Sequence, residues 1–66
     1  MSWHYQLMRH RDESLAVHEC YISEDGTIQW TKKPISIVGD SIEEVKESIQ
    51  MILNDIDRHG VKDYEE

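Results

Sequence analysis

This chain lacks the sulfur for a crosslinked fold. Cys20 is the only cysteine, which excludes an intramolecular disulfide framework and a four-cysteine zinc site. Positive charge is also scarce, with 7 Lys+Arg against 14 Asp+Glu and a formal net charge of −7. Such a field repels phosphate, so DNA, RNA and anionic membrane surfaces are disfavoured as partners. No run is long and apolar enough to cross a bilayer, and Met1-Ser2-Trp3-His4-Tyr5 lacks a signal-peptide pattern, so a cytoplasmic location is expected. Internal repeats, low-complexity segments and linkers are missing as well. Sixty-six residues leave room for one domain, and a chain near this size buries only about 60% of its unfolded surface. A second copy covering one face would add stability, which makes a homodimer a candidate state.

The residues present alternate along the first third of the chain. Trp3, Tyr5 and Leu7 fall on one side, and His4, Gln6, Met8 and His10 on the other, a period-two pattern that predicts a strand over residues 3–11. Asp12-Glu13-Ser14 supplies turn-forming side chains. Residues 15–23 predict a second strand from their β-branched and aromatic content. Asp25-Gly26 then marks a hairpin, for which two registers compete. A two-residue turn sets Tyr21 opposite Trp30. A three-residue loop, with Gly26 in the left-handed region, sets Ile22 opposite Ile28 and Cys20 opposite Trp30. The second is preferred, because it collects Ala16, Cys20, Ile22, Ile28 and Trp30 on one buried face, although it also turns His18 inward. Thr27–Thr31 forms the third strand. Pro34 cannot donate to a ladder, so Ile35–Val38 is at most an extended edge segment.

A helix follows. Ser41-Ile42-Glu43-Glu44 fits a capping box, and Asp40, Glu43, Glu44 and Glu47 place negative charge at the positive end of the helix dipole. Ile42, Val45, Ile49, Ile52, Leu53 and Ile56 recur at spacings of three and four, forming one apolar stripe. Arg58-His59-Gly60 provides terminal cations and a glycine stop. The expected fold class is α+β: a three-stranded antiparallel β-meander packed against one C-terminal amphipathic helix. That single domain spans residues 1–60, with 61–66 as a frayed acidic tail. A helix of roughly 27 Å is longer than a strand of roughly 20 Å, so it is expected to cross the sheet and to overhang it.

Several residues are candidates for function. A meander brings the ends of strands one and three to one margin, making a basic rim of Arg9, Arg11, Lys32 and Lys33, with Asp12 and Glu13 beside it. Residues 40–66 carry nine acids against three bases, and Glu43, Glu47, Asp55 and Asp57 are the expected partner-binding acids of the helix. Trp3, Tyr5 and Tyr21 are expected to share the sheet face away from the helix, a surface suited to an interface. Basic rim and aromatic sheet together are also an RNA-binding arrangement, which the net charge opposes. His18 and Cys20 lie two apart on one strand face, with His4 and His10 on a neighbouring strand. These lack the paired spacings of a zinc site, and nothing in sequence activates Cys20 as a nucleophile. Cys20 reads as a small buried apolar residue. No catalysis, metal or cofactor is expected.

Trp3-His4-Tyr5, His18-Glu19-x-Tyr21, Asp25-Gly26, Trp30-Thr31-x-x-Pro34 and Gly39-Asp40-Ser41-x-Glu43-Glu44 together resemble a group of short uncharacterised bacterial and phage proteins, over nearly the whole chain. That resemblance implies a bacterial or phage origin and transfers no site. The segment Gly39–Leu53 also resembles the helix start of the β-β-β-α half of HicB-type antitoxins, although Lys33-Pro34-Ile35-Ser36 replaces that family's Pro/Gly/Cys-containing segment and the appended DNA-binding module is missing. The second resemblance implies binding of a small toxin. The expected function is a small acidic, non-enzymatic protein-interaction domain, in one version an inhibitor of a basic or nucleic-acid-binding protein.

Overall fold

A computed structural model describes residues 1–64. In chain order the elements are β1 (Ser2–Arg9), β2 (Leu15–Ile22), β3 (Ile28–Trp30), α1 (Ile42–His59) and β4 (Val61–Asp63). The sheet order is β3-β2-β1-β4. The first three strands form the expected antiparallel meander. The fourth pairs parallel to β1, setting Leu7 opposite Val61 and Arg9 opposite Asp63. Val61–Asp63 is therefore a strand rather than a frayed tail, a correction to the sequence reading; Glu65 and Glu66 lie outside the described residues. The glycine stop explains the difference. Gly60 leaves the helix with φ 68° while its N–H still bonds Ile56 O, and the chain turns at once onto the free edge of β1.

The two hairpins are built alike. In the second, Ser23 N–H bonds Thr27 O at 2.9 Å and Gly26 N–H bonds Ser23 O at 2.9 Å, with Gly26 at φ 88°. This is the three-residue loop, and it sets Cys20 opposite Trp30 and Ile22 opposite Ile28. The first hairpin repeats it, with His10 N–H to Ser14 O and Glu13 N–H to His10 O, both 2.9 Å. In each loop an aspartate accepts from the backbone two residues on: Asp12 from Ser14 N–H at 3.0 Å and Asp25 from Thr27 N–H at 2.9 Å. These hydrogen bonds favour the ionised form and hold both carboxyls below their ordinary 3.8. The loops differ at the left-handed position, where Gly26 fits and Glu13, at φ 73°, is strained.

The capping box forms with a shift of one residue. Ser41 Oγ accepts from Glu44 N–H at 3.2 Å, while the Glu44 carboxylate takes the N–H of Asp40 at 2.7 Å. Gly39 lets the chain pass close by, since a Cβ there would lie 2.9 Å from Glu44 Cβ.

The core is small and partly polar. Met8, Cys20 and Ile52 are its buried apolar residues, joined by buried Gln6 and His18. The pairings Gln6–His18 and His4–Cys20 put these residues on one sheet face. Ile28, expected on that face as a core residue, is exposed at its margin, while Ala16, Ile22 and Trp30 are half-buried. The helix does not lie flat across the sheet. Its close packing is with β1, and of the expected stripe only Ile52 is buried.

Left-handed backbone costs an ordinary residue about 1–2 kcal/mol, against about 0.5–1 kcal/mol of extra chain entropy lost by glycine. Glu13→Gly should therefore raise stability by roughly 0.5–1 kcal/mol, and Gly26→Ala should lower it by a similar amount. Urea midpoints of the two variants check this. The exposed Glu13–Arg9 contact at 3.9 Å is too weak to reverse the sign.

Candidate interaction surface

The orientation of α1 follows from three contacts. Asp55 Oδ2 accepts the backbone N–H of Tyr5 at 2.9 Å. The His59 ring stacks on His4, with centroids 3.6 Å apart. Gln6 Nε2 donates to Gly60 O at 2.8 Å. These side chains turn the helix so that Ser48, Ile52, Asp55 and Ile56 face the sheet. At roughly 100° per residue, that direction lies some 60° away from the middle of the apolar stripe. The far flank of the stripe is left uncovered: Ile42 is 72% exposed, Ile49 43% and Leu53 53%. An open depression lined by Gly39, Ile42, Val45 and Lys46, among others, continues this flank at the N-terminal end of the helix.

The four helix acids divide. Glu43, Glu47 and Asp57 are exposed and lie on the outer side of the helix. Asp55 is half-buried and serves the sheet edge: β4 reaches only Leu7–Arg9, and Asp55 satisfies the edge N–H of Tyr5 beyond it. It is a structural carboxylate rather than a partner-binding one.

The basic rim assembles through a residue that sequence reasoning missed. Tyr64 N–H bonds Arg9 O at 2.8 Å, and Tyr64 Oη donates to Lys32 O at 3.1 Å. That phenol thus joins the ends of β1 and β3. Arg9 lies 3.9 Å from Glu13 and 4.0 Å from Asp63, so acids partly neutralise it. Arg11 lines an open depression with His10, Asp12, Ser14, Ala16 and Pro34. Lys32 and Lys33 are exposed.

Trp3, Tyr5 and Tyr21 do share a face. Trp3 pairs with Tyr21 across β1 and β2, and the Trp3 and Tyr5 rings meet edge to face at 5.3 Å. Tyr21 Oη donates to Glu19, and that hydrogen bond raises the phenol above its ordinary 10.0. Leu7, Leu15, Val17 and Val61 belong to the same face by register.

The opposite face gathers all four histidines in two pairs. His18 is fully buried. Its Nδ1 faces Thr31 O at 2.8 Å; a carbonyl only accepts, so Nδ1 carries the hydrogen. Nε2 of a neutral His18 then accepts from His10 Nε2, 2.9 Å away. Tyr64 stacks on His10 and His18, with centroids at 4.5 and 5.3 Å. Gln6 is equally well used, accepting from His4 Nε2 at 3.0 Å and donating to Leu7 O at 3.1 Å. Among the described residues no buried side-chain N or O atom is without a partner. Nor, among them, do three or more His, Cys, Asp or Glu side chains converge as a metal site. Cys20 is a free, buried thiol. Gln6, His59 and Tyr64 had no local signal; the alternation placing His4, Gln6, Met8 and His10 together was the only pointer to this cluster.

No protein-family model matches the chain, and neither a curated protein nor a solved structure does. The fold defines an α+β domain with a four-stranded mixed sheet and one long helix. Among the described residues no helix is long and apolar enough to cross a membrane.

The stacked His4–His59 pair makes stability depend on pH. Desolvation, followed by repulsion from His4, lowers His59 from its ordinary 6.5, with Asp55 opposing. A base whose folded value is depressed contributes fully above its unfolded value, and that contribution is lost as pH falls through the folded value. Stability should therefore decline as pH drops below about 6.5, well above the range where Asp12 and Asp25 titrate. His59→Gln should flatten that part of the profile. Urea midpoints recorded from neutral to mildly acid pH test this, and an unchanged slope in the variant would assign the loss elsewhere.

Proposed function

We propose that this chain is a small non-enzymatic protein-interaction domain whose exposed acidic helix face receives a basic protein partner. The observation that carries this reading is that an 18-residue helix buries a single side chain, Ile52, and directs Glu43, Glu47 and Asp57 to solvent. An acidic face beside uncovered apolar side chains offers charge steering together with area to bury. The chain's net charge of −7 favours a partner of opposite sign. The basic rim supports nucleic-acid binding poorly, because Asp63 and Glu13 stand beside Arg9.

The test is capture of basic proteins from a bacterial lysate on the immobilised chain, run beside the E43Q/E47Q/D57N variant. Binding should be strong at low salt, fall at least tenfold near half-molar salt, and be lost in the variant. All three substituted residues are exposed, so the fold should survive. Capture that ignores both salt and substitution would refute the acidic-face reading.

The meander followed by a helix that starts at Gly39-Asp40-Ser41-x-Glu43-Glu44 favours one second reading, a HicB-like antitoxin module. It requires that co-expression of this chain restore growth to cells producing a small ribonuclease toxin encoded beside it; no rescue would count against it.

A further inference from the structure

We propose that α1 pairs with the α1 of a second copy of this chain, antiparallel about a two-fold axis, with Ile49 of each copy against Leu53 of the other. This rests on the interaction-domain reading and deepens it by naming what covers the apolar flank. Glu43 and Glu47 remain exposed for a different partner.

The charges on the flank select this occupant. At roughly 100° per residue, Ile42, Ile49 and Leu53 fall within an arc of roughly 40°, and Lys46 and Asp57 lie along its outer border. Lys46 stands three residues before Ile49, and Asp57 four residues after Leu53. An antiparallel pair that sets Ile49 against Leu53 therefore brings Lys46 of one copy level with Asp57 of the other. The two-fold axis repeats that ion pair. In a parallel pair in register the two-fold runs along the helices and puts the border carrying Lys46 and Asp57 on opposite sides of the seam, so this ion pair cannot form. Within one chain, neither Lys46 nor Asp57 has an ion-pair partner among the described residues. Glu43 and Glu47 lie roughly 100° and 140° from the middle of that arc, so two acidic molecules approach along the least acidic strip of α1. Ile42 and the depression beside Val45 extend the contact toward the C-terminal end of the second helix.

The paired length from Ile42 to Leu53 is roughly 16 Å, a contact at the small end of specific interfaces, below about 1,200 Å² in total. Dimerisation should therefore depend on concentration. Sedimentation equilibrium of the whole chain should show a mass rising from the 7.8 kDa monomer toward twice that value as concentration increases. Leu53→Glu should remain monomeric with an unchanged far-UV spectrum, because Leu53 is half exposed and outside the core.

The decisive arm exchanges the charges. K46E and D57K should each weaken the dimer by about tenfold, and K46E/D57K should restore it. D57K also lowers the net negative charge, so if general repulsion alone governed association it would strengthen the dimer. A wild-type chain that stays monomeric at millimolar concentration overturns the proposal. So does a double variant no tighter than the single ones, or a D57K variant tighter than wild type. Leu53→Glu leaves Glu43, Glu47 and Asp57 in place, so it should lose the dimer and keep the salt-sensitive capture of basic proteins, and the two readings stand or fall separately.

Discussion

The structure depends on burying Gln6 and His18 with their hydrogen bonds intact. Both side chains are essentially inaccessible to water, and a buried polar group without partners costs roughly 1–3 kcal/mol. The first three strands cannot supply every partner. Gln6 needs the carbonyl of Gly60. His18 obtains Thr31 O from the segment after β3 and the His10 ring from the first hairpin, and Tyr64 covers that pair. The turn after α1 is thereby tied to the middle of β1. β4 and Tyr64 must follow over the same face, and the helix must end where Gly60 can reach Gln6.

That tether explains the orientation of the helix. With its C-terminal end fixed at Gln6, α1 lies along β1, and Asp55 meets the edge N–H of Tyr5, which β4 does not reach. A carboxylate bonded to a backbone N–H outweighs the burial of one more half-covered isoleucine. Periodicity reports which side chains could share a face, but not how far a tertiary contact rotates that face. The six-residue stripe in the sequence was real as a pattern, yet only one of its members is buried.

Features set by neighbours within five residues were legible: the three-residue hairpin loop at Gly26, the Ser41–Glu44 cap and the Gly60 stop; strand alternation also made the shared face of Trp3, Tyr5 and Tyr21 legible. Features set by partners fifty residues away were not. Val61–Asp63 is too short and too polar to read as a strand, and it becomes one because β1 offers an edge next to the helix end. Tyr64 looked like part of a tail, although it links the carbonyls of Arg9 and Lys32. Asp55 could not be told from Asp57 by composition. Two positions on a helix turn by roughly 200°, enough to send one carboxylate to the sheet edge and the other to solvent.

A polar core has a cost that shows at the surface. A chain of this length has little apolar area to spend, and Gln6 and His18 occupy the centre that aliphatic side chains could have filled. Ile42, Ile49 and Leu53 are left outside as a consequence. Scattered exposure of this kind is ordinary in proteins, but a line of three along one helix is continuous and bordered by one base and one acid. The same hydrogen bonds that fix the helix thus determine which apolar side chains remain for another molecule. Burying that line on association would regain area that folding alone leaves wet.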